Sequence, residues 1–142
     1  MSAPSRNQPV LTYTAAARMV AAAVAYAEQN GWSVAVAVVD PSGHLLAAGR
    51  MDGAPAPILD FATDKAFTAT LGKTSLAFGE RMAELKSLEL GLGTRPRLLA
   101  WEGGVPVREN GALISAIGVS GASGHEDAAC ARAAIGAIGL TT

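Results

Sequence analysis

The side chains best suited to chemistry gather in a bent loop and in the segment that follows it. The loop comprises residues 50–55, with the sequence Arg-Met-Asp-Gly-Ala-Pro, and Asp60, Asp64 and Lys65 follow at helical spacing. Only 16% of the residues are charged, whereas 50% are hydrophobic, so this local concentration of charge stands out. It indicates a site that binds or transforms a polar ligand.

A second candidate segment, residues 118–127, is rich in glycine and serine and ends in His-Glu-Asp. We interpret it as a strand that ends in a tight turn, from which a helix starts. Gly118, Ser120 and Gly121 could arrange backbone amides around an anion. In the alternative interpretation the glycines only allow the strand to turn into the helix. The lysine and the glycine spacing of a Walker or dinucleotide-binding motif are absent.

Arg50 and Asp52 could orient a carboxylate-bearing ligand, because a planar guanidinium donates two parallel hydrogen bonds to such a group. Met51 lies between them and Asp60 follows on the next helix, so both are candidate contacts of the same ligand. In the alternative, Arg50 forms an internal ion pair with Asp60 or Asp127 that only holds the loop. The sequence leaves the two interpretations open.

Lys65, His125 and Asp127 are the candidate groups for proton transfer. A lysine among alanine-rich helices could act as a base, a proton donor or an imine former. The alternative, which we favour, is an ion pair with Asp60, Asp64 or Asp127. The predicted position of His125 is the first turn of a helix, where a neutral imidazole could bind a metal or carry protons. The alternative is a first-turn side chain that only faces solvent.

Composition excludes several classes of protein. The net charge of −1 provides no basic stripe, so neither nucleic acid nor an anionic membrane is an expected partner. No apolar run reaches the roughly 18 residues of a membrane span. We expect a disordered tail at residues 1–9, one domain at residues 10–142, and a cytoplasmic location. The single cysteine, Cys130, excludes an intrachain disulfide, and no metal site is predicted.

The hydrophobic pattern predicts four helices and five strands. The predicted helices start at Thr12 or Thr14, at Ile58, at Thr74 or Ser75, and at about Gly124. The predicted strands span residues 32–39, 44–50, 98–101, 105–107 and 112–119. This order favours an α/β (α+β) fold with a single antiparallel sheet of about five strands and helices packed on it. Alanine and glycine supply little apolar bulk, so we also expect a homo-oligomer.

Five short motifs, which cover nearly the whole chain beyond the tail, resemble a known family. The motifs are Val38-Val39-Asp40-x-x-Gly43, Arg50-Met51-Asp52-Gly53-Ala54, Asp60-x-x-x-Asp64-Lys65-Ala66, Gly103-Gly104-Val105-Pro106, and Ile117-Gly118-Val119-Ser120-Gly121 with a nearby Asp127. They are similar to those of the GlcG/HbpS family, which includes the C-terminal domain of PduO-type proteins. The resemblance implies an α/β sandwich, high-order homo-oligomers and, in some members, binding of haem or other small cofactors. The chain has Glu126 where many relatives carry glutamine.

The leading hypothesis is a small cytoplasmic homo-oligomer that binds a small carboxylated ligand or haem. Its pocket is expected between the loop at residues 50–54, the helix with Asp60 and Lys65, and the turn at residues 118–127. His125 is the possible haem ligand that the hypothesis favours. The candidate soft or nitrogenous side chains for binding haem iron are those of His44, His125, Met51, Met82 and Cys130. Covalent attachment is excluded, because no Cys-x-x-Cys-His motif is present.

The alternative hypothesis is a cofactor-independent enzyme that uses the same pocket. It would be an isomerase, lyase or hydratase acting beside a carbonyl group. Lys65, His125 and Asp127 would transfer protons, and Arg50 would hold a substrate oxyanion.

Overall fold

The computed structural model describes residues 3–142, so the first two residues of the predicted tail lie outside the described residues. Residues 3–9 are exposed and belong to no helix or strand, and their disorder remains a prediction. The described chain forms α1 (Tyr13–Gln29), β1 (Ala35–Val39), β2 (Leu45–Arg50), α2 (Pro57–Ala69), α3 (Ser75–Met82), α4 (Lys86–Leu92), β3 (Gly104–Glu109), β4 (Ala112–Ser120) and α5 (Gly124–Ala137). No helix within residues 3–142 has the length and apolar character required to span a membrane.

The strands form one sheet in the order β2-β1-β4-β3, and every neighbouring pair is antiparallel. This confirms the predicted single antiparallel sheet with helices packed on it. A turn joins β1 and β2 in the gap between the two predicted strands. Its Asp40 carboxylate accepts hydrogen bonds from the amides of Ser42 at 2.9 Å and His44 at 3.0 Å, which fixes the turn locally.

The predicted count of about five strands is wrong, because residues 98–101 form no strand and the described sheet has four. The backbone of this segment pairs with side chains of two helices instead. The amide of Leu99 donates to Thr68 Oγ1 at 2.8 Å, and the carbonyl of Trp101 accepts from Ser75 Oγ at 2.6 Å. Thr68 and Ser75 thus satisfy groups that a neighbouring strand would otherwise bind.

Helices cover both faces of the sheet, and β1 is therefore buried along its whole length. One face packs on α1 and α5 through larger side chains, which include Val36, Val38, Ile117, Val119, Met19 and Ile135. The opposite face packs on α2 through small ones, which include Ala35, Ala37, Ala116, Ala62, Ala66 and Ala69. The molecule is thus a three-layer sandwich, and its thin layer of alanines brings α2 close to the sheet.

Glycines on the sheet make this close approach possible. A Cβ atom at Gly118 would overlap the carbonyl oxygen of Ala62, and one at Gly104 would overlap the carbonyl oxygen of Lys65. The α2 backbone therefore lies directly on the strand backbones at these two positions. Any larger residue would push α2 away from the sheet and would move Lys65 with it.

We predict that Gly118→Ala lowers the free energy of unfolding by about 1–3 kcal/mol, as overpacking of a close-packed core typically does. Gly91→Ala is the matched control. Gly91 lies in the exposed helix α4 with no atom near the position of its missing Cβ, so alanine there should stabilise by up to about 1 kcal/mol. Chemical denaturation of the two variants measures both effects, and a Gly118→Ala variant as stable as the wild type would contradict the packing argument.

Helix α4 lies outside the core, since none of its residues is buried. It follows Leu85, which is 51% exposed, and carries Leu90, which is 64% exposed. Leu76 in the preceding helix α3 is also exposed. Exposed leucines on neighbouring helices of a small domain are typical of a surface that another protein chain covers.

We expect light scattering to give a particle mass several times the chain mass of 14.3 kDa. The double variant Leu85→Lys/Leu90→Lys should reduce that mass, because charge on this surface opposes its burial. Leu45→Lys, on the exposed edge strand β2, is the control and should leave the mass unchanged. A monomer at every concentration of the wild-type protein would contradict self-association.

Candidate functional site

A buried ion pair between Lys65 and Asp127 forms the centre of the candidate site. Helix α2 supplies the lysine and the first turn of α5 supplies the aspartate, and each residue is only 2% exposed. Lys65 Nζ lies 3.0 Å from Asp127 Oδ2 and also donates to the Val119 carbonyl at 3.0 Å and to Ser120 Oγ at 3.3 Å. An ammonium group has three donors, so all of them have acceptors within the protein.

Asp127 is satisfied on both of its oxygens. While Oδ2 accepts from Lys65, Oδ1 accepts from the amide of Ala122 at 2.9 Å. Burial raises the pKa of the Asp127 carboxyl, and the charge of Lys65 and the Ala122 hydrogen bond counteract that rise. The lysine and the aspartate are therefore held by each other and by the turn between β4 and α5.

The backbone amides of Ala122 and Ser123, in the turn before α5, donate hydrogen bonds to side chains of that helix. Ser123 and Glu126 form the capping box at the start of the helix, with the Ser123 amide donating to Glu126 Oε1 at 3.0 Å. The Ala122 amide donates to Asp127, as described above. Gly121 turns the chain with a φ of +123°, and its missing Cβ would overlap Ser33 and Val34. This geometry favours the interpretation in which the glycines only allow the strand to turn into the helix. It gives less support to an anion site at Gly118, Ser120 and Gly121.

An open cleft of about 330 Å³ lies over the ion pair, and we name it the lysine cleft. It is lined by Ile58, Phe61, Lys65, Trp101, Glu102, Ser120, Gly121, Ala122, Gly124 and Asp127. Phe61 and Trp101 pack edge to face with their ring centroids 5.2 Å apart and form an aromatic wall. The charged lining residues are one lysine and two acids, so the cleft carries a net negative charge.

The loop at residues 50–54 does not line this cleft. Arg50 is exposed, and its Nη1 donates to the carbonyl of Ala54 at 2.6 Å, so it holds the loop to which it belongs. Met51 accepts a hydrogen bond on its sulfur from the amide of Val34 at 3.3 Å. Asp52 is exposed. The loop is therefore braced by its own contacts, and within the described chain Arg50 forms no ion pair with Asp60 or Asp127.

Asp60 and Asp64 lie on a different side of α2 from the lysine cleft. Asp60 is exposed, and Asp64 is partly buried. Burial raises the pKa of Asp64, the charge of Arg97 opposes the rise, and the charge of Asp60 adds to it. Asp64 thus interacts electrostatically with Arg97 and with Asp60, whereas Lys65 pairs with Asp127.

Both histidines are exposed. His125 lies in the first turn of α5, directly after Gly124, which lines the lysine cleft. His44 lies in the β1–β2 turn, with its Nδ1 3.7 Å from Asp40. Cys130 is buried in the core, and burial raises its pKa to about 11. Of the possible haem ligands that the sequence offers, His125 is the exposed one next in sequence to a lining residue of the cleft, although His125 itself does not line it.

The aromatic wall and Glu102 are not predicted from the sequence. Trp101 falls in the predicted strand at residues 98–101, and Phe61 falls in the predicted helix that starts at Ile58. The scarcity of aromatic residues, 5% of the chain, was a usable signal for Trp101, which follows an apolar run and precedes Glu-Gly-Gly. The distance between residues 61 and 101 in the sequence concealed their contact.

Comparison with known proteins identifies the family. The sequence matches the family described as "Haem degrading protein HbpS-like" over residues 11–136. Protein GlcG of Escherichia coli K12 is 40% identical over 116 residues, which cover 81% of this chain and 84% of GlcG. An uncharacterised 15.0 kDa protein of Citrobacter freundii, from the dhaT-dhaS intergenic region, is 33% identical and covers 92% of this chain and 94% of its own length.

Solved structures agree with this assignment. The crystal structure of a double mutant of Streptomyces reticuli HbpS superimposes with a TM-score of 0.87 at 37% identity and covers 98% of this chain and 94% of that one. The crystal structure of a PduOC–haem complex gives a TM-score of 0.84 at 28% identity and covers 94% of this chain and 98% of that one. The sequence motifs, the sheet and these matches agree, and the chain belongs to the HbpS-like family, which confirms the resemblance to GlcG and HbpS.

Proposed function

We propose that this protein binds haem, or another flat and largely apolar ligand, in the lysine cleft. The observation that carries the proposal is the aromatic wall. Trp101 is 56% exposed although it stands over a cleft and packs against Phe61. A large exposed indole beside a concave surface is typical of a site where a planar ligand covers it. The PduOC–haem complex, which shares the fold, supports the choice of haem.

The residues around the cleft fit a porphyrin in part. Ile58, Phe61 and Trp101 would contact an apolar ring system, and His125 beside Gly124 would supply a nitrogen ligand to the iron. Bound haem would bring a redox-active iron to this surface. The volume of about 330 Å³ is near the lower limit of small-molecule sites, so the cleft suits a compact ligand or one edge of a larger flat one.

The charges of the cleft argue against a carboxylate head group inside it. Lys65 already pairs with Asp127, and Glu102 adds an uncompensated negative charge. A carboxylate at the same place would therefore be repelled. We propose that acidic groups of a ligand, including the propionates of haem, lie outside the cleft. Of the two ligand classes predicted from the sequence, the cleft thus favours haem over the small carboxylated molecule.

The alternative of a cofactor-independent enzyme receives less support from this geometry. Lys65 donates to three acceptors and Asp127 accepts on both oxygens, so neither presents a free group to a substrate. His125 lies at the surface, and Arg50 lies outside the cleft. The proton-transfer roles predicted for Lys65, His125 and Asp127 would require the ion pair to open first. We propose instead that Lys65 and Asp127 form the rigid floor of a binding site.

We predict that titration with haem produces a Soret band that His125→Ala shifts or weakens, because this substitution removes the nitrogen ligand beside the cleft. His44→Ala is the matched control, since it removes the other exposed histidine from a turn outside the cleft. Trp101→Ala should weaken haem binding about tenfold, the order of effect expected for loss of a large aromatic contact. Equal spectra and affinities for the wild type and all three variants would contradict haem binding at this cleft.

We further predict that Lys65→Met lowers the free energy of unfolding by about 3–5 kcal/mol, because it leaves Asp127 buried without a counter-charge. The double variant Lys65→Met/Asp127→Leu should regain a large part of this loss, since it buries no unpaired charge. Lys73→Met, at an exposed position beyond α2, is the control and should have little effect. Urea unfolding measures all three, and a Lys65→Met variant within about 1 kcal/mol of the wild type would contradict the structural role.

A further inference from the structure

A second cleft, separate from the proposed haem site, lies at the C-terminal end of α2. We name it the arginine cleft. Its volume is about 320 Å³, and it is lined by Phe67, Thr70, Leu71, Arg95, Pro96, Arg97 and Leu98. The charged lining residues are two arginines, and no acidic side chain lines it. The two clefts are therefore similar in size and opposite in charge.

Arg97 is held in place by uncharged groups. Its guanidinium carbon lies 3.8 Å from the centroid of the Phe67 ring, and its Nη2 donates to the carbonyl of Gly43 at 3.4 Å. The ring of Phe67 is in turn packed so tightly against Gly43 that a Cβ there would overlap it. Arg97 lowers the pKa of nearby Asp64 but forms no ion pair with it. The remaining donors of a positioned guanidinium thus stay available for an anion.

Arg95 brings the second positive charge. Its backbone amide donates to the carbonyl of Leu92 at 3.1 Å, which fixes the chain where it enters the cleft. Across residues 3–142, its side chain takes part in no ion pair or hydrogen bond. Pro96 separates the two arginines and limits the freedom of the backbone between them. The segment Arg95-Pro96-Arg97 therefore presents two guanidinium groups at one cleft.

The remaining surface of the cleft is apolar. Leu71, which is 57% exposed, and Leu98 provide aliphatic contacts, and Phe67 and Pro96 provide ring surfaces. A site with two unpaired guanidinium groups and apolar walls is complementary to an organic anion with an apolar body. A purely inorganic anion would leave the walls uncovered, and a neutral apolar molecule would leave the arginines without partners.

We propose that the arginine cleft binds a compact organic acid, with its carboxylate on Arg95 and Arg97 and its apolar body against Leu71 and Leu98. The sequence predicts a carboxylated ligand at Arg50, whereas the cleft with complementary charge lies here, at the end of α2 far from that loop. The site would operate independently of the lysine cleft, because its lining residues and those of the lysine cleft do not overlap.

The test is a titration of the isotope-labelled full chain, followed by amide NMR, with phenylacetate as the probe and neutral phenylacetamide as its matched analogue. Phenylacetate should shift the amides of Thr70, Leu71 and Leu98 in a saturable manner. Phenylacetamide should bind at least about tenfold more weakly than phenylacetate, since it cannot form charge-assisted hydrogen bonds. Equal binding of the two probes, or shifts confined to the lysine cleft, would overturn the proposal.

Arginine variants provide the second arm of the test. Arg95→Gln should weaken phenylacetate binding about tenfold without unfolding the chain, because its side chain has no internal partner to lose. Arg81→Gln removes an arginine from α3 that pairs with Glu84, and this control should leave affinity unchanged. Unchanged affinity in Arg95→Gln would overturn the assignment, as would binding of phenyl phosphate about tenfold tighter than phenylacetate, which would indicate a phosphate site.

Discussion

The ion pair between Lys65 and Asp127 is the interaction on which the rest of this structure depends. Helix α2 packs on one face of the sheet and α5 on the other, and the pair joins them around the end of β4. Two charges buried to this degree are stable only if each has a close partner and further hydrogen bonds. Val119 and Ser120 provide these bonds for the lysine, and Ala122 provides one for the aspartate. The positions of both helices are thereby coupled to the geometry of one turn.

The pair forms only because α2 lies unusually close to the sheet. Alanines on α2 and on the strands, together with Gly104 and Gly118, remove the side chains that normally separate a helix from a sheet. The opposite face follows the more ordinary arrangement, with valine, isoleucine and methionine filling the space beneath α1 and α5. The asymmetry explains how a chain rich in alanine and glycine still buries a core on both faces of the sheet: large side chains fill the space on one face, and close approach of α2 leaves little space to fill on the other.

The two clefts lie near opposite ends of α2 and differ in the chemical character of their linings. Near the start of the helix, aromatic rings stand above a floor in which the positive charge is already neutralised. Near its end, two arginines line an apolar groove without an acidic neighbour in the lining. We therefore propose that one end binds a flat apolar ligand and the other an organic anion. Membership of the HbpS-like family gives the fold and a structural relative solved with haem.

The sequence by itself determined the family, the single antiparallel sheet and the starts of four of the five described helices, whereas α4 was not predicted. Those features follow from local rules: hydrophobic period, the Asp40 turn and the Ser123 capping box act between residues close in the chain. The sequence left several alternatives open, and only the tertiary structure decided between them. Lys65 pairs with Asp127, 62 residues away, and Trp101 meets Phe61, while residues 98–101 bind helix side chains and form no strand. These outcomes depend on how closely α2 approaches the sheet, and that distance is set by packing across the whole molecule.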